Sequence, residues 1–538
     1  MMRLNLGEIA MSLGCGPGMV IWDGPAADSP HAQAVQGAPS SLKDLARRRS
    51  RDGGSARTNA VAGGAVNHWG HTPWAGLTPS GAHIDSRKVM PGNLFFCLPG
   101  ERTDGHDFAV NAARAGASAI IASRNPFGGG ANGRNGGGRD SLVYPPVFLV
   151  EDVQRTLARV AMCHRDTSLA RVIGITGTAG KTSVKEALAR VLEVHGRTER
   201  NHMNLNNQIG LPLSMLNASA DASFWVMEMG ISEAGDMEDL GQMLRPDLGL
   251  ILNVGDGHVS GLGDEGVAAH KARLIDYIQP GGIAVISADY AELNIQVERR
   301  MNLLARRGVE ILLFSRSSPD VFARALYAGP GPCGGRYDVW AKDLHFELDT
   351  PFRGEFGSEN VAAVAAVALK MGLPPERIAE GFAMVKLPEQ RFCSFRYPHF
   401  TILDDSYNAN PLSASRMLEA ARSMADEYDQ SLVLVMGEMR ELGSKARGAH
   451  ETLGGQMAGV GPEIVFWKGG HAKAVKKGLE TGGYCGPFYP LCSVPEFALL
   501  LEEYEINDTL VLFKGSRGNK LEQYVDLFRE KATPAGEN

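Results

Sequence analysis

The sequence has few of the features that mark secreted, zinc-binding or membrane-spanning proteins. Its 538 residues include seven cysteines, an odd number without any CxxC spacing, which favours a reducing compartment and argues against a structural zinc site. The longest apolar run, Val361 to Leu369, falls far short of the roughly 20 residues that a bilayer-spanning helix needs. The N-terminal segment has Glu8 where a signal peptide would continue an apolar stretch. We therefore expect a cytoplasmic protein without membrane insertion.

A strong excess of either charge is also lacking. The formal net charge of −7 gives no electrostatic reason to expect nucleic acid as a partner. The composition, 44% hydrophobic and 21% charged, is typical of globular proteins. A chain of this length exceeds what one hydrophobic core supports and predicts about three or four domains.

Short β-rich runs alternate with helical patterns along most of the chain. Runs such as LFFCL, RVIGIT, LGLILNV and SLVLVMG precede helical stretches, which predicts parallel sheets covered by helices. We predict an α/β fold of three domains, each a sheet with helices, in which the central domain is a P-loop-type ATPase and the last is Rossmann-like. The predicted boundaries are 1–167, 168–388 and 389–538. Two segments rich in Gly and Arg, 44–82 and 125–140, are predicted to be inserts that cannot bury enough apolar surface to become ordered.

A phosphate-binding loop is predicted where GITGTAGKTS separates the strand RVIGIT from an amphipathic helix. Its glycines allow backbone N–H groups to close around phosphate oxygens at a helix N-terminus. Lys181 would neutralise phosphate charge, and Thr182 would bind Mg²⁺. The predicted nucleotide-binding residues are Gly177, Thr178, Ala179, Gly180, Lys181, Thr182 and Ser183. By itself the loop predicts only a bound nucleotide, and a nucleotide-driven switch fits it equally well.

Two candidate metal ligands stand at predicted strand ends. Glu228 ends SFWVMEM and His258 follows LGLILNV, and ligands of open parallel sheets bind at the carboxyl ends of the strands. Each residue alone would more often be structural. Together beside a phosphate loop they favour Mg²⁺, which takes one or two protein ligands plus phosphate oxygens. Lys271 lies in a probable helix, and its spacing alone predicts a solvated helix face.

The segments TGTAGKTSVKEAL, NLNNQIGLPLSML, EMG, NVGDGH and HKARL, in this order, resemble the Mur ligase family. The resemblance implies an enzyme that uses ATP to phosphorylate a carboxylate and then joins the acyl phosphate to an amine, releasing ADP and phosphate. It also implies two Mg²⁺ ions. The catalytic residues implied are Lys181, His258 and Lys271. The metal ligands implied are Thr182, Glu228, His258 and Lys271, the last as a carbamate. Asn206 and Asn207 match asparagines near the phosphate and acceptor site.

Both ends of the chain extend this resemblance. The segment IDSRKVMPGNLFFCLPGERTDGHDF resembles a UDP-binding domain of the family, which implies that residues 1–167 bind a UDP-linked sugar. The implied contacts are Asp85, Ser86, Arg87, Gly105 and His106.

Three C-terminal segments, LDDSYNANPLSASRMLEA, VMGEMRELGSKARGAHETLG and LFKGSRGNKLE, resemble the branch that adds D-alanyl-D-alanine. This implies Arg391 and Asp405 as ATP contacts, and Tyr407, Asn408 and Asn410 as dipeptide contacts. The expected reaction joins UDP-N-acetylmuramoyl-tripeptide to D-alanyl-D-alanine in peptidoglycan precursor synthesis, and hence serves the cell wall, cell shape and cell division. A monomer is expected.

The chain departs from the usual family pattern at two positions that bear on the site. Ser287 stands where the family usually has Asn, and Gln390 stands where Gly is common before Arg391. Three alternatives therefore remain: a related ligase that adds a single amino acid, a nucleotide-dependent switch, and a degenerate paralogue that keeps only the fold. Whether the third residue of the peptide is diaminopimelate or lysine stays open.

Overall fold

The computed structural model describes residues 2–14, 20–21, 74–127, 144–255, 259–262, 265–503 and 508–532. These residues form a mixed α/β protein with three separate β-sheets, which confirms the predicted fold class. Contacts divide the chain into two compact units. The first contains Met1–Ala170 and Asn201–Trp225, and the second contains Arg171–Arg200 and Val226–Asn538.

The first sheet has five strands in the order β1-β5-β4-β3-β2, and all neighbouring pairs are parallel except β1 with β5. Strands β3 and β4 are buried along their whole length, as expected when both faces of a parallel sheet are covered. The elements are α1 (Leu6–Ser12), β1 (Val20–Ile21), β2 (Gly81–His83), β3 (Asn93–Phe96), α2 (Ala109–Arg114), β4 (Ala119–Ala122), β5 (Val147–Leu149) and α3 (Val153–Thr167).

The predicted insert 44–82 was wrong from residue 74 onward, because this part supplies buried apolar surface. The Trp74 side chain is 7% exposed and packs edge-on against Phe148, with ring centroids 5.6 Å apart. The N–H of Leu6 donates to the carbonyl of Leu77 at 2.9 Å, and Ala82 is fully buried in β2. In the second predicted insert, Phe127 packs against Tyr144. The remaining residues of the two inserts, 44–73 and 128–140, lie outside the described residues.

The second sheet has nine strands in the order β14-β13-β12-β11-β10-β9-β6-β8-β7. Its β6, β9, β10 and β11 pair in parallel, whereas β12, β13 and β14 form an antiparallel meander that the sequence analysis did not predict. The elements are β6 (Arg171–Thr176), α4 (Lys181–Glu193), β7 (Thr198–Arg200), α5 (Gly210–Asn217, in the first unit), β8 (Phe224–Glu228), α6 (Asp236–Leu244), β9 (Leu248–Ile251), α7 (Val259–Leu262), α8 (Gly266–Ala272), β10 (Ile283–Ser287), α9 (Ala291–Glu298), α10 (Met301–Arg307), β11 (Glu310–Ser315), β12 (Ala323–Pro330), β13 (Gly335–Ala341), β14 (Leu344–Thr350), α11 (Gly354–Lys370) and α12 (Pro375–Ala383).

The third sheet has six strands in the order β15-β16-β20-β17-β18-β19, parallel except for the edge pair β15 and β16. Successive residues of its strands enter different cores: Leu434 belongs to one apolar cluster and Val435 to another. Helices therefore cover both faces, as in a doubly wound fold. The elements are β15 (Cys393–Arg396), β16 (Phe400–Asp405), α13 (Pro411–Glu427), β17 (Ser431–Gly437), α14 (Ala446–Gly459), β18 (Ile464–Lys468), α15 (Ala472–Thr481), β19 (Phe488–Leu491), α16 (Val494–Glu502), β20 (Thr509–Lys514) and α17 (Glu522–Ala532).

The three predicted domain ranges stay a prediction. Each range holds all the strands of one sheet, yet residues 201–225 belong to the first compact unit, and the second unit contains most of the nine-stranded sheet and all of the six-stranded sheet. Within the described ranges, none of the helices combines the length and apolar character that crossing a membrane would require.

Candidate active site

The phosphate loop connects β6 to the N-terminus of α4, in the strand-to-helix context that the sequence predicted. Gly180 has φ 79°, in the left-handed region that favours glycine, and a Cβ there would lie 2.8 Å from Asn360 Oδ1. A Cβ at Gly177 would lie 3.0 Å from the Cβ of Leu252. The two glycines are therefore needed for different reasons, one for backbone conformation and one for close packing on the sheet.

Asn253, just after β9, holds the loop in shape. Its Oδ1 accepts the N–H groups of Thr178 and Ala179 at 3.0 Å and 2.7 Å, and its Nδ2 donates to the Ala179 carbonyl at 3.0 Å. These two N–H groups are therefore occupied. The N–H groups of the first turn of α4 lack acceptors within their own helix, as at any helix N-terminus, and point toward the region where phosphate would bind.

Three charged side chains converge beside the loop. Lys181 Nζ donates to the Gly177 carbonyl at 2.9 Å, and Thr182 Oγ1 donates to Glu228 Oε2 at 2.9 Å. Burial, and next the charge of Lys181, lower the pKa of Lys271 well below its ordinary value, although Glu228 opposes the shift. Burial also lowers the pKa of Lys181. The spacing-based placement of Lys271 on a solvated face was wrong, since the residue is only 2% exposed.

This donor set fits a magnesium ion. Thr182 and Glu228 present hydroxyl and carboxylate oxygens next to the loop, and Mg²⁺ prefers oxygen ligands that it shares with phosphate and water. Among the described residues, no group of three or more His, Cys, Asp or Glu could hold a metal alone, so phosphate oxygens or water would complete the coordination. His258 lies outside the described residues.

The carboxyl edge of the third sheet carries the predicted nucleotide contact Asp405. Its carboxylate forms a buried ion pair with Lys514 and accepts the N–H of Phe392 at 3.1 Å. Lys514 Nζ also donates to the carbonyl of Asn408 at 3.1 Å. Asp405 therefore fixes the strand end and the segment around Gln390, whose φ of 60° is in the left-handed region.

Two arginines pack on the ring of Tyr407. The guanidinium carbon of Arg391 lies 4.0 Å from the ring centroid, and that of Arg517 lies 4.9 Å from it. Arg391 also contributes to the lowered pKa of Lys181, after burial and alongside the opposing charge of Glu228. The structure thus brings the predicted ATP contact Arg391 into the electrostatic environment of the loop lysine.

Asn410 joins the third sheet to the phosphate loop. It caps α13, accepting the N–H of Ser413 at 2.9 Å, and its Nδ2 donates to the carbonyl of Thr178 at 3.3 Å. The predicted dipeptide segment YNAN is therefore in direct contact with the predicted nucleotide loop.

In the first unit, the predicted contacts follow neighbouring parallel strands. Asp85 caps a short 3-10 helix, Ser86–Lys88, and binds the guanidinium of Arg87 with both carboxylate oxygens, at 2.9 Å and 2.8 Å. Hydrogen bonding from Arg87 lowers the pKa of Asp85 to about 2. The Arg87 side chain is otherwise 86% exposed, so it remains open to an anionic ligand.

His106 is enclosed, and both of its ring nitrogens are engaged. Nδ1 donates to Asp104 at 2.6 Å, and Nε2 accepts the N–H of Ser123 at 3.0 Å. Burial would raise the pKa of Asp104, but hydrogen bonds from the backbone and ring of His106 and from Arg124 bring it below its ordinary value. His106 therefore shapes the loop after β3 by holding it to the end of β4.

Gly105 permits a close backbone approach, and its replacement by Ala is expected to destabilise the first unit. A Cβ there would lie 2.7 Å from the backbone nitrogen of Leu98. Relieving such a clash typically costs about 1–3 kcal/mol. Thermal unfolding should show this loss for Gly105→Ala, whereas Gly76→Ala, where a Cβ meets nothing within 4 Å, should unfold like the unmodified protein. Equal unfolding temperatures for the two variants would contradict the assigned packing.

Asn206 and Asn207 lie in the first unit, just before α5. Asn207 Oδ1 accepts the N–H of Gly210, the first residue of the helix, at 2.9 Å. Their role at the acceptor site stays a prediction.

The sequence analysis missed several polar residues that the structure brings to the loop. Asn253, Glu359 and Asn360 are 0%, 0% and 6% exposed, and Asn360 Oδ1 is buried near Gly180 without a hydrogen-bond partner. The available signal was a polar pair, Glu-Asn, directly before the apolar run of α11. A buried oxygen that lacks a hydrogen bond needs a structural explanation, and a ligand bound at the phosphate loop would supply a donor.

The fold and this site together define an α/β enzyme with a loop that binds nucleotide phosphates. Sequence models of a known family match three parts of the chain: "Mur ligase family, catalytic domain" at residues 80–129, "Mur ligase middle domain" at 175–368 and "Mur ligase, glutamate ligase domain" at 390–517. The chain belongs to the Mur ligase family, whose members are ATP-dependent ligases.

Curated relatives agree along most of the chain. The UDP-N-acetylmuramoyl-tripeptide--D-alanyl-D-alanine ligase of Escherichia coli is 29% identical over 467 residues, which cover 86% of this chain and 97% of the relative. The protein of the same name from Mycobacterium bovis is 31% identical over 427 residues, covering 74% of this chain and 79% of the relative.

Solved structures agree as well. MurF from Acinetobacter baumannii superposes with a TM-score of 0.70 at 25% identity, covering 83% of this chain and 93% of that protein. MurF from Thermotoga maritima, solved in complex with ADP, gives a TM-score of 0.69 at 26% identity and covers 85% and 98%. The predicted resemblance to the dipeptide-adding branch is thereby confirmed.

Proposed function

We propose that this chain uses ATP to join UDP-N-acetylmuramoyl-tripeptide to D-alanyl-D-alanine in peptidoglycan precursor synthesis. The observation that carries the proposal is the contact between Asn410 of the YNAN segment and Thr178 of the phosphate loop. This hydrogen bond supports the proposal because it joins the segment that would receive the dipeptide to the loop that would bind ATP. Relatives that match most of the chain bear the name of that activity.

The reaction has to overcome a poor leaving group, because an amine cannot displace hydroxide from a carboxylate. Transfer of the γ-phosphoryl group of ATP to the peptide carboxylate would give an acyl phosphate, from which phosphate leaves when the amine attacks. Lys181 and the first N–H groups of α4 would hold the phosphates and stabilise their charge. Arg391, close enough to affect the pKa of Lys181, would approach the same phosphates.

We propose that two magnesium ions take part. Thr182 and Glu228 would hold one, and His258 with a carbamylated Lys271 would hold the other. When bound, the ions would offset negative charge on the phosphates during transfer. The charge of Glu228 acts on both Lys181 and Lys271 and would offset part of their positive charge.

Carbamylation of Lys271 is chemically reasonable in this environment. Only an unprotonated amine adds CO₂, and the burial that lowers the pKa of Lys271 favours that form. The carbamate would replace a buried cation near Lys181 by an anion, which removes a like-charge repulsion.

The remaining predicted residues would bind the other two substrates. Asp85, Ser86, Arg87, Gly105 and His106 would form the UDP-sugar site, where a pyrophosphate could compete with Asp85 for the exposed Arg87 guanidinium. Tyr407, Asn408 and Asn410 would receive the dipeptide, and Asp405 would support the nucleotide side. The three ranges 1–167, 168–388 and 389–538 would serve the UDP-substrate, ATP and dipeptide respectively. The enzyme would act as a monomer. It would work in the cytoplasm, where both ATP and the UDP-linked precursor are supplied.

An acceptor-dependent ADP-release assay tests the whole proposal. With ATP, Mg²⁺ and UDP-N-acetylmuramoyl-tripeptide present, ADP release should require D-alanyl-D-alanine and should be slight with single amino acids. Parallel assays with the diaminopimelate and lysine forms of the tripeptide would identify the preferred third residue. Faster release with D-alanine or another single amino acid would instead indicate a related ligase, and release without any acceptor would favour a nucleotide-dependent switch. Absence of release under every condition would indicate a degenerate paralogue.

A further inference from the structure

A fully buried carboxylate stands behind the phosphate loop, outside the set of residues described above as binding substrate. Glu359, in the first turns of α11, is 0% exposed, and its Oε2 accepts a hydrogen bond from Asn253 Nδ2 at 2.9 Å. Asn253 is the residue that accepts the N–H groups of Thr178 and Ala179. Glu359 thus acts on the loop through one intermediate side chain.

The same carboxylate binds the helix that follows the predicted dipeptide segment. Arg416, in the second turn of α13, places Nη1 2.8 Å from Glu359 Oε2, and its side chain is 10% exposed. Its other guanidinium nitrogen donates to the hydroxyl of Tyr290. Ser287 Oγ donates to the second oxygen, Glu359 Oε1, at 3.4 Å. These contacts from Asn253, Arg416 and Ser287 come from three different elements around the loop, and the Tyr290 hydroxyl also hydrogen bonds to Glu359.

Helix α13 contacts the loop by two routes. Its capping residue Asn410 donates directly to the Thr178 carbonyl, and Arg416, six residues further along, reaches the loop through Glu359 and Asn253. Two attachment points separated along one helix fix its direction as well as its position.

We propose that Glu359 is a positioning residue that, paired with Arg416, sets the geometry of the phosphate loop and the docking of the dipeptide-side helix α13 together. This inference rests on the proposed function for the identity of the dipeptide, but its effect on the nucleotide does not. A carboxylate is suited to the task because it can accept several donors at once, which an amide or hydroxyl does less well. Substitution of only one partner of the pair should destabilise the protein, since removal of one buried charge leaves the other uncompensated.

Two variants distinguish a role of Glu359 in positioning the phosphate loop from a role only in the stability of the fold. In Glu359→Gln the amide oxygen can still accept from Asn253, and its NH₂ can face the Ser287 hydroxyl, but Arg416 loses its counter-charge. This variant should unfold at a lower temperature while its KM for ATP stays within about threefold of the unmodified enzyme. In the double variant Glu359→Met with Arg416→Met, two apolar side chains of similar length replace the pair. Because such replacements of buried ion pairs are often neutral for stability, its unfolding temperature should change little.

The double variant should nevertheless be impaired. Asn253 would keep its bond to the Ala179 carbonyl but lose its anchor behind the loop, so the KM for ATP should rise about tenfold, equivalent to roughly 1.4 kcal/mol. The value of kcat should fall as well, because α13 loses one of its two attachments. The KM for the UDP-linked substrate should stay within about twofold, since no residue of that predicted site is changed. Arg422→Met is the matched control: it removes an arginine of the same helix that pairs with Asp426 and donates to the Gln430 carbonyl, and it should leave all three constants unchanged.

The decisive result is the comparison of stability with ATP kinetics in the two variants. A less stable Glu359→Gln with normal ATP kinetics, beside a stable double variant with weakened ATP kinetics, supports positioning. Activity that simply follows stability, or a double variant with normal KM and kcat, overturns the proposal. Direct titration of each variant with ADP distinguishes this failure from failure of the proposed function, because ADP binding requires neither the dipeptide nor the UDP-linked substrate. Should the unmodified enzyme release no ADP with D-alanyl-D-alanine, an approximately tenfold weaker ADP affinity in the double variant alone would still support the role of Glu359, and equal affinities would refute it.

Discussion

Replacement of Lys271 by Ala is expected to abolish ligation while leaving the fold intact. The lysine is 2% exposed and lies close enough to Lys181 and Glu228 for their charges to affect its pKa. A permanent positive charge on Lys271 would therefore repel Lys181. As a carbamate it would instead supply a fixed anion to the second metal. Removing a preorganised electrostatic group at a site of developing charge typically costs about 10²–10³ in turnover, and a loss on the order of 10³ is expected here.

The measurement is kcat for acceptor-dependent ADP release, together with the circular dichroism spectrum and unfolding temperature of the variant. Lys271→Arg serves as the matched control because it keeps the positive charge and much of the volume but cannot form a lysine carbamate. It should be about as inactive as Lys271→Ala. Added formate or acetate should restore part of the activity of the alanine variant by supplying a carboxylate. An active arginine variant would show that the site needs a cation, and the carbamate assignment would then be wrong.

Glu228→Gln is expected to lower kcat about 100-fold and to raise the Mg²⁺ concentration needed for half-maximal rate. The substitution preserves size, and the amide oxygen can still accept the hydrogen bond from Thr182. What it removes is the negative charge that would bind the metal and that offsets the two nearby lysines, Lys181 and Lys271. The effect should therefore appear as a metal-dependent loss of rate.

A titration of rate against Mg²⁺ at saturating ATP tests this expectation. Glu186→Gln is the matched control, since Glu186 is a neighbouring glutamate on α4 that pairs with Lys185 and Arg200 and lies outside the proposed site. Its Mg²⁺ dependence should match that of the unmodified enzyme. If Glu228→Gln keeps both its normal rate and its normal Mg²⁺ requirement, Glu228 is a structural partner of Thr182 and the first metal must bind elsewhere.

Local patterns were sufficient for the phosphate loop and for most strands. The loop could be predicted because its conformation depends on adjacent residues: Gly180 supplies the positive φ, and Lys181 begins the helix. Buried strands such as β6 and β17 are continuous apolar runs, which leave a clear signal. The meander β12 to β14 was not predicted because its strands alternate between buried and exposed residues near a Gly- and Pro-rich turn. Such strands leave a weaker signal in the sequence than continuous apolar runs do.

The sequence by itself determined the α/β class, the nucleotide loop and, through its ordered motifs, the ligase family. Only the tertiary structure decided which polar residues act together. Lys271 has the spacing of a surface lysine, and its burial depends on elements packed around it. Glu359, Asn253 and Arg416 lie far apart in the chain, and no local pattern links them. The physical reason is that a hydrogen bond or ion pair forms only when two groups lie within a few ångströms of each other. Folding of the chain brings distant residues that close, and the local sequence around each residue does not show which distant residue it will meet.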